Sequence, residues 1–207
     1  NPASPSVNVT INNGATLRFN QNNLTLTAQR QVLLGPGGGV VDTEFSNGIS
    51  GAISGSSLTK TGSGTLTLTG NNTHASTVVN GGALRVSVDG ALGAAPANFT
   101  PGNITLDGGT LRFGANFDLS NNRGVALGAA GGTIDTQGFN NLSGYTQANG
   151  ISGSGNLTKI GSGTFFMNTP AGQLNNGWTG NLILKEGTWT ITERGGLPFN
   201  PPQTPGS

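Results

Sequence analysis

The sequence lacks several features that would place it in common functional classes. None of its 207 residues is cysteine, so it has neither disulfide bonds nor thiolate metal ligands. Only 8% of the residues are charged and the formal net charge is +1, which gives little electrostatic attraction for nucleic acid or anionic lipid. It has no run of about 18 apolar residues that would cross a membrane as a helix. We therefore expect no nucleic-acid partner and no membrane-spanning segment.

The residue types that enzymatic chemistry requires are equally scarce. The single histidine, His74, excludes a multi-histidine metal site, and no G-x-S-x-G motif accompanies it; we expect it at a corner or facing outward. The eight carboxylates are scattered, whereas a glycoside hydrolase requires two that converge. Asp42 and Asp135 occupy equivalent repeat positions, which favours corner residues bonded to local backbone amides. No catalytic residue, cofactor or metal ion is expected.

The segment LTKTGSG at residues 58–64 combines a lysine with two glycines, as phosphate-binding loops do. A P-loop, however, places its lysine after the glycines and at the start of a helix. Here Lys60 precedes Gly62 and Gly64, and the strand-like TLTLT follows. The segment is therefore interpreted as an architectural motif.

Short runs that alternate apolar and polar residues predict an almost entirely β fold. They are separated by NNG, PGGG, NGG, DGG and AGG, which are typical of turns that need positive φ angles. No stretch has the pattern of an amphipathic helix. The clearest predicted strands are residues 7–11, 16–19, 65–69, 83–88, 110–113 and 188–192.

Internal repeats divide the chain into two units of about 100 residues. Residues 7–19 match 102–113 with an offset of 94 at the arginine, and residues 53–68 match 151–167 with an offset of 98 to 99. The opening NPASPS carries no signal-peptide pattern, and we expect the chain to be cut from a longer protein. The predicted domains are a first β-solenoid unit at 1–95, a second at 96–195, and a Pro-rich linker or end at 196–207.

A shorter formula recurs within each unit, as GATLRF, GGALRV, GGTLRF and EGTWTI. Nested repeats of short strands favour a β-solenoid in which each coil stacks on the previous one. Coils of about 20 to 25 residues would give roughly 8 to 10 turns. A pair of Greek-key β-sandwiches is the alternative, because about 100 residues also suits that fold. Reuse of one strand formula favours the solenoid.

The segment LTKTGSGTLTLTGNNT and the following VNGGALRVS resemble the autotransporter-associated β-strand repeat, also called the passenger-associated transport repeat. Residues that fit the family pattern are Leu58, Lys60, Gly62, Gly64, Leu66, Leu68, Gly70, Asn72, Gly82, Leu84 and Val86. His74 stands where the pattern has an aromatic residue. A second copy keeps Leu157, Lys159, Gly161 and Gly163 and then diverges.

The resemblance implies a right-handed parallel β-helix within a very large protein that is secreted across the outer membrane of a Gram-negative-type bacterium. The implied role is non-catalytic: a spacer, fibre or sheath at the cell surface or in the extracellular matrix, with copies of itself or adjacent repeats as partners. Unpaired coil ends would allow end-to-end self-assembly. The alternatives are an adhesin module for glycans or host protein and, more remotely, a polysaccharide-active β-helix enzyme.

Several polar side chains are predicted to face outward. Arg18, Arg85 and Arg112 occupy the polar slot of the strand formula, where stacked coils would align them as a sparse basic ladder or as simple solubilising charges. Lys60 and Lys159 are interpreted as outward residues at the entry to a turn.

Aromatic residues are the candidate contacts for a glycan or protein partner. Trp178 and Tyr145 are proposed as exposed contact residues, because an aromatic face stacks on a sugar ring. Trp189 replaces Leu84 of the strand formula and is predicted to lie in the core.

Overall fold

The structure is a computed structural model that describes residues 6–141, 150–167 and 177–191. These residues form twenty β-strands and one 3-10 helix (Asp89–Leu92), with no α-helix among them. The strands are β1 (Ser6–Ile11), β2 (Thr16–Phe19), β3 (Thr25–Leu26), β4 (Arg30–Leu34), β5 (Gly39–Thr43), β6 (Asn47–Ile49), β7 (Ile53–Gly55), β8 (Leu58–Thr61), β9 (Thr65–Leu68), β10 (Thr77–Val79), β11 (Ala83–Val86), β12 (Thr100–Leu106), β13 (Thr110–Phe113), β14 (Arg123–Leu127), β15 (Gly132–Asp135), β16 (Ile151–Gly153), β17 (Leu157–Ile160), β18 (Thr164–Met167), β19 (Leu182–Leu184) and β20 (Thr188–Ile191).

The strands stack into parallel sheets, in which each strand pairs with its counterpart one coil further along the chain. Sheet B contains seven strands in the order β2-β5-β8-β10-β12-β14-β16, and sheet C contains eight in the order β3-β6-β9-β11-β13-β15-β17-β19. Sheet A (β1-β4-β7) and sheet D (β18-β20) are shorter. This arrangement confirms the predicted parallel β-solenoid and excludes the Greek-key sandwich, whose sheets are antiparallel.

The solenoid has about seven turns, fewer than the sequence predicted, because the coils are uneven. Leu66 and Leu84 are register partners 18 residues apart, whereas Leu84 and Leu111 are partners 27 residues apart. The longer coil contains the 3-10 helix and the excursion that follows it, between β11 and β12. An insertion here leaves the register of both flanking strands unchanged.

Equivalent segments of the two repeats lie on different sides of the solenoid. The first TLRF strand, β2, belongs to sheet B, whereas the second, β13, belongs to sheet C. The two LTK strands, β8 and β17, show the same shift. One sequence repeat therefore spans four complete coils and then continues to the next sheet of the fifth coil. Sheet B continues across the predicted boundary between the two units, because β10 pairs with β12. The division of the chain into two domains stays a prediction.

The core consists of ladders of identical or similar apolar side chains. In sheet C, Leu66, Leu84, Leu111 and Ile134 are consecutive register partners, and each is at most 1% exposed. Burial of each such side chain stabilises the fold by roughly 1.5–3 kcal/mol. The hydrophobic effect therefore acts along the whole length of the solenoid.

Candidate functional site

The two lysines of the repeated LTK motif lie inside the solenoid, so the prediction that they face outward is wrong. Lys60 is in register with Val41 and Val79, and all three side chains are 0% exposed. Lys159 is equally buried and is in register with Ile134. The sequence pattern does predict the inward position, because strand alternation places Lys60 on the same side as the apolar Leu58.

Each buried ammonium group binds the backbone of two successive corners. Lys60 Nζ donates to the carbonyl oxygens of Thr61 at 2.7 Å, Gly62 at 3.0 Å and Gly81 at 3.2 Å. The three N–H donors of the ammonium group thus meet three backbone carbonyl acceptors. We call this motif a lysine staple: an inward lysine whose Nζ joins the corner of its own coil to the corner of the next coil.

The second copy repeats this geometry on another side of the solenoid. Lys159 Nζ donates to the carbonyl oxygens of Ile160 at 2.9 Å, Gly161 at 2.7 Å and Glu186 at 3.2 Å. Burial lowers the pKa of both lysines, that of Lys60 from 10.5 to about 8, although nearby carboxylates oppose the shift. Both lysines are structural residues of the corner.

A third buried cation, Arg123, was missed by the sequence interpretation. It is 0% exposed, and its guanidinium donates to both carboxylate oxygens of Asp89, at 2.8 and 3.1 Å. It also donates to Asn103 Oδ1 at 2.7 Å and to the Gly93 carbonyl at 2.7 Å. These bonds fasten the excursion after β11 to the next coil. The sequence repeat aligns Arg123 with Arg30, in R-x-V-x-L at residues 30–34 and 123–127, but Arg30 is exposed, so the repeat does not mark Arg123 as buried.

His74 lies in the core beside this cluster, which corrects the expectation of a corner or outward position. Its side chain is 0% exposed, and its Nε2 is 2.9 Å from Thr77 Oγ1. Burial, reinforced by the positive charge of Arg123, lowers the pKa of His74 from 6.5 to about 4. The imidazole is therefore neutral at pH 7.

The outward arginines do not form one ladder, because Arg18 lies in sheet B and Arg85 and Arg112 in sheet C. Two of them bind the equivalent aspartates: Arg18 lies 2.5 Å from Asp42 and Arg112 lies 2.8 Å from Asp135. These aspartates thus join neighbouring coils.

Asp135 also follows the prediction for corner residues, because Oδ1 accepts the backbone N–H of Gln137 at 2.9 Å. Burial alone would raise its pKa, but the hydrogen bonds from Gln137 and Arg112 outweigh it and lower the pKa below 3.8. Asp135 is therefore charged at neutral pH.

The candidate aromatic contacts are not brought together at a described surface. Trp178 is 4% exposed and donates from Nε1 to the Gly155 carbonyl at 2.9 Å, so the expectation that it is exposed is wrong. Trp189 packs against the core, as predicted. Tyr145 lies outside the described residues.

No group of three or more His, Asp or Glu side chains in residues 6–141, 150–167 and 177–191 is placed to hold a metal ion. Among the same residues, no helix is long and apolar enough to span a membrane.

Comparison with known proteins identifies related sequences. Residues 58–86 match the family described as passenger-associated-transport-repeat. A stretch of 139 residues, 66% of the chain, is 35% identical to "Adhesin BmaC autotransporter" of Brucella suis biovar 1 (strain 1330). The matched region covers 4% of that relative's length. No solved structure matches the chain.

Proposed function

The chain contains a passenger-associated transport repeat at residues 58–86, and on that premise we propose that it is a non-catalytic structural segment of a giant secreted surface or extracellular-matrix protein. The observation that carries this proposal is the unbroken stacking of sheets B and C from the first coil to the last described one. The segment serves as a spacer within a longer fibre or sheath.

The proposed location is the outer surface of a Gram-negative-type bacterium or its surroundings. Two findings support it: the family match at residues 58–86 and the 35% identity to a relative named as an autotransporter. The low charge of the chain, 8% of residues, suits a surface that avoids nonspecific electrostatic binding.

The interior explains how such a segment keeps its shape. About seven coils spaced by about 4.8 Å give a stack roughly 35 Å long. Lysine staples join adjacent corners, and the Arg123–Asp89 pair fixes the longest coil. Lateral bending would require these buried hydrogen bonds to break in a medium where their loss is costly.

A non-catalytic role is supported by the state of the acidic residues. Asp42, Asp89 and Asp135 each bind an arginine, and the three lie on different coils. Glycoside hydrolysis instead needs two facing carboxylates in one groove. If the segment were such an enzyme, Asp42→Ala or Asp135→Ala would abolish turnover of a polysaccharide.

Replacement of the segment in the full-length surface protein tests the spacer function. The replacement is a β-solenoid of equal length with an unrelated outer surface. We expect export and the reach of the distal regions from the cell to be retained, because only length and stiffness matter. Shortened reach after a length-matched replacement, or loss of adhesion with reach unchanged, would contradict the spacer function.

End-to-end self-assembly is a further part of the proposal. β1, β2 and β3 form the first described coil and are edge strands of sheets A, B and C, and in the purified 207-residue chain we expect their outer backbone groups to pair with another copy. Electron microscopy of the purified chain at increasing concentration tests this: filaments are expected, whereas single short rods at every concentration would exclude self-assembly.

An adhesin module is the second candidate, favoured by the word "adhesin" in the name of the relative. It would bind a glycan or host protein through exposed loops. Of the two aromatic contacts predicted from the sequence, Trp178 is unsuitable because it is buried, and Tyr145 stays a prediction. Specific loss of adhesion in the replacement experiment is the result that this candidate predicts.

A further inference from the structure

The outer face of sheet C carries a shallow groove over the first three coils. Its volume is about 330 Å³. The lining residues are Asn23, Thr25, Ser46, Asn47, Gly48, Ser50, Thr67 and Thr69. Every side chain in this set is a hydroxyl or an amide, apart from the glycine, and none is charged.

The groove exists because one position in a row of outward-facing residues, Gly48, has no side chain. The register aligns Thr25, Gly48 and Thr67 on three consecutive strands, and Arg85 and Arg112 continue the same ladder. Gly48 is not among the residues with positive φ, so the backbone does not require glycine there. The missing side chain leaves a notch between two threonines.

Polar groups around this notch are free to bind a ligand. Within the described residues, the side chains of Thr25, Ser50, Thr67 and Thr69 make no hydrogen bond to another protein atom in this structure. Each hydroxyl offers one donor and two acceptor lone pairs. Asn47, by contrast, is fixed: its Oδ1 accepts the Leu24 N–H at 2.9 Å.

An exposed aromatic residue lies next in sequence to a lining residue of the groove. Phe45 directly precedes Ser46 at the corner between β5 and β6, and 47% of it is exposed. A corner that exposes a phenyl ring, next to a groove lined by hydroxyls, suits a ligand with one apolar face and a polar rim. The ring of a pyranose sugar has this character.

We propose that the groove formed by Thr25, Gly48 and Thr67 binds a neutral oligosaccharide, with Phe45 stacking on one sugar ring. Neutral ligands are favoured over acidic ones because the lining holds no charged side chain, and Arg85, on the next rung of the ladder, donates to the Gly114 carbonyl at 3.3 Å. This inference gives the adhesin candidate a defined site and ligand class, and it does not rest on the spacer role.

Binding of short neutral oligosaccharides of hexose and N-acetylhexosamine units to the purified chain tests the proposal, with an oligogalacturonate as the acidic comparison. Saturation-transfer NMR and calorimetry are the readouts. At least one neutral sugar is expected to bind, and more tightly than the acidic one. Failure of every neutral sugar to bind, or tighter binding of the acidic one, would overturn the proposal.

Two variants locate the site. Gly48→Thr fills the notch with the residue found on both neighbouring rungs, and Thr67→Val removes one hydroxyl with little change of shape. Each is expected to weaken binding roughly tenfold or more. The matched control is Gly138→Thr, since Gly138 is exposed and an added Cβ would meet nothing closer than 3.7 Å.

Thermal unfolding of all four proteins separates loss of binding from loss of fold. If Gly48→Thr unfolds, because its Cβ would lie 3.2 Å from Thr25 Oγ1, Thr67→Val still decides the question. Unchanged affinity in the folded variants would place the sugar elsewhere and overturn the site.

Discussion

Inside the solenoid, three long cationic side chains are fully buried: Lys60, Lys159 and Arg123. A buried charge is tolerated only when its donors are satisfied. The two lysines meet corner carbonyls, and Arg123 meets Asp89 and the Gly93 carbonyl. At the scale of single residues, the polar interior completes the hydrogen bonding of corners that the sheets do not reach.

Lys60→Met tests the lysine staple. The substitution keeps the apolar length but leaves the carbonyls of Thr61, Gly62 and Gly81 without their donor. The variant no longer buries a charged ammonium group, and this gain offsets part of the loss. We therefore expect the free energy of unfolding at pH 7, measured by urea denaturation, to fall by about 2 kcal/mol. Lys185→Met is the control, because Lys185 is exposed. An equal effect in both variants would refute the staple.

His74 predicts sensitivity of the fold to acid. The unfolded chain binds a proton at this residue near its ordinary pKa of 6.5, whereas the folded protein does so only near 4. Between these values the unfolded state holds more protons, so stability decreases as the pH falls, by up to about 3 kcal/mol. Urea unfolding at pH 7 and 4.5 measures the decrease. His74→Gln should remove most of it, and an identical decrease in the variant would contradict the assignment.

At the scale of elements, the sequence predicted the strands better than the side-chain environments. Alternation placed predicted strands at 16–19 and 110–113, the bounds of β2 and β13, because a half-buried strand needs that pattern. The same alternation places Lys60 on the inward side of its strand, together with Leu58, but the charge of lysine favoured an outward position. Neither Arg123 nor the notch at Gly48 could be predicted, since both depend on which strands become neighbours across coils.

Corner glycines set how closely successive coils approach. Gly82 has φ of +58°, and an added Cβ would overlap with the carbonyl oxygens of Gly64 and Gly62 in the preceding corner. Gly82→Ala is therefore expected to destabilise the protein by about 3 kcal/mol or more, through backbone strain and displacement of the coil.

Gly138→Ala is the matched control for this corner. An added Cβ there has nothing within 3.7 Å, and Gly138 is not among the positive-φ residues. Its unfolding midpoint in urea should stay close to that of the parent chain. Similar midpoints for the Gly82 and Gly138 variants would show that the corners adjust freely.

At the scale of the whole molecule, the sequence repeat and the structural repeat differ. The repeat of about 94 to 99 residues corresponds to four coils plus one side, so equivalent motifs point in different directions around the solenoid. The sequence offsets alone could not show this, because coil length varies from 18 to 27 residues. The second copy of the unit continues the sheets of the first.

The central claim is that these coils form one continuous stacked unit, and native-state hydrogen exchange tests it most directly. The backbone amides of β8, β10, β12 and β14, which lie on both sides of residue 95, are followed at increasing denaturant. If the ladder is continuous, these amides converge on a single opening free energy and a common denaturant dependence. Two distinct free energies, divided between β10 and β12, would show two separately unfolding units and contradict the account.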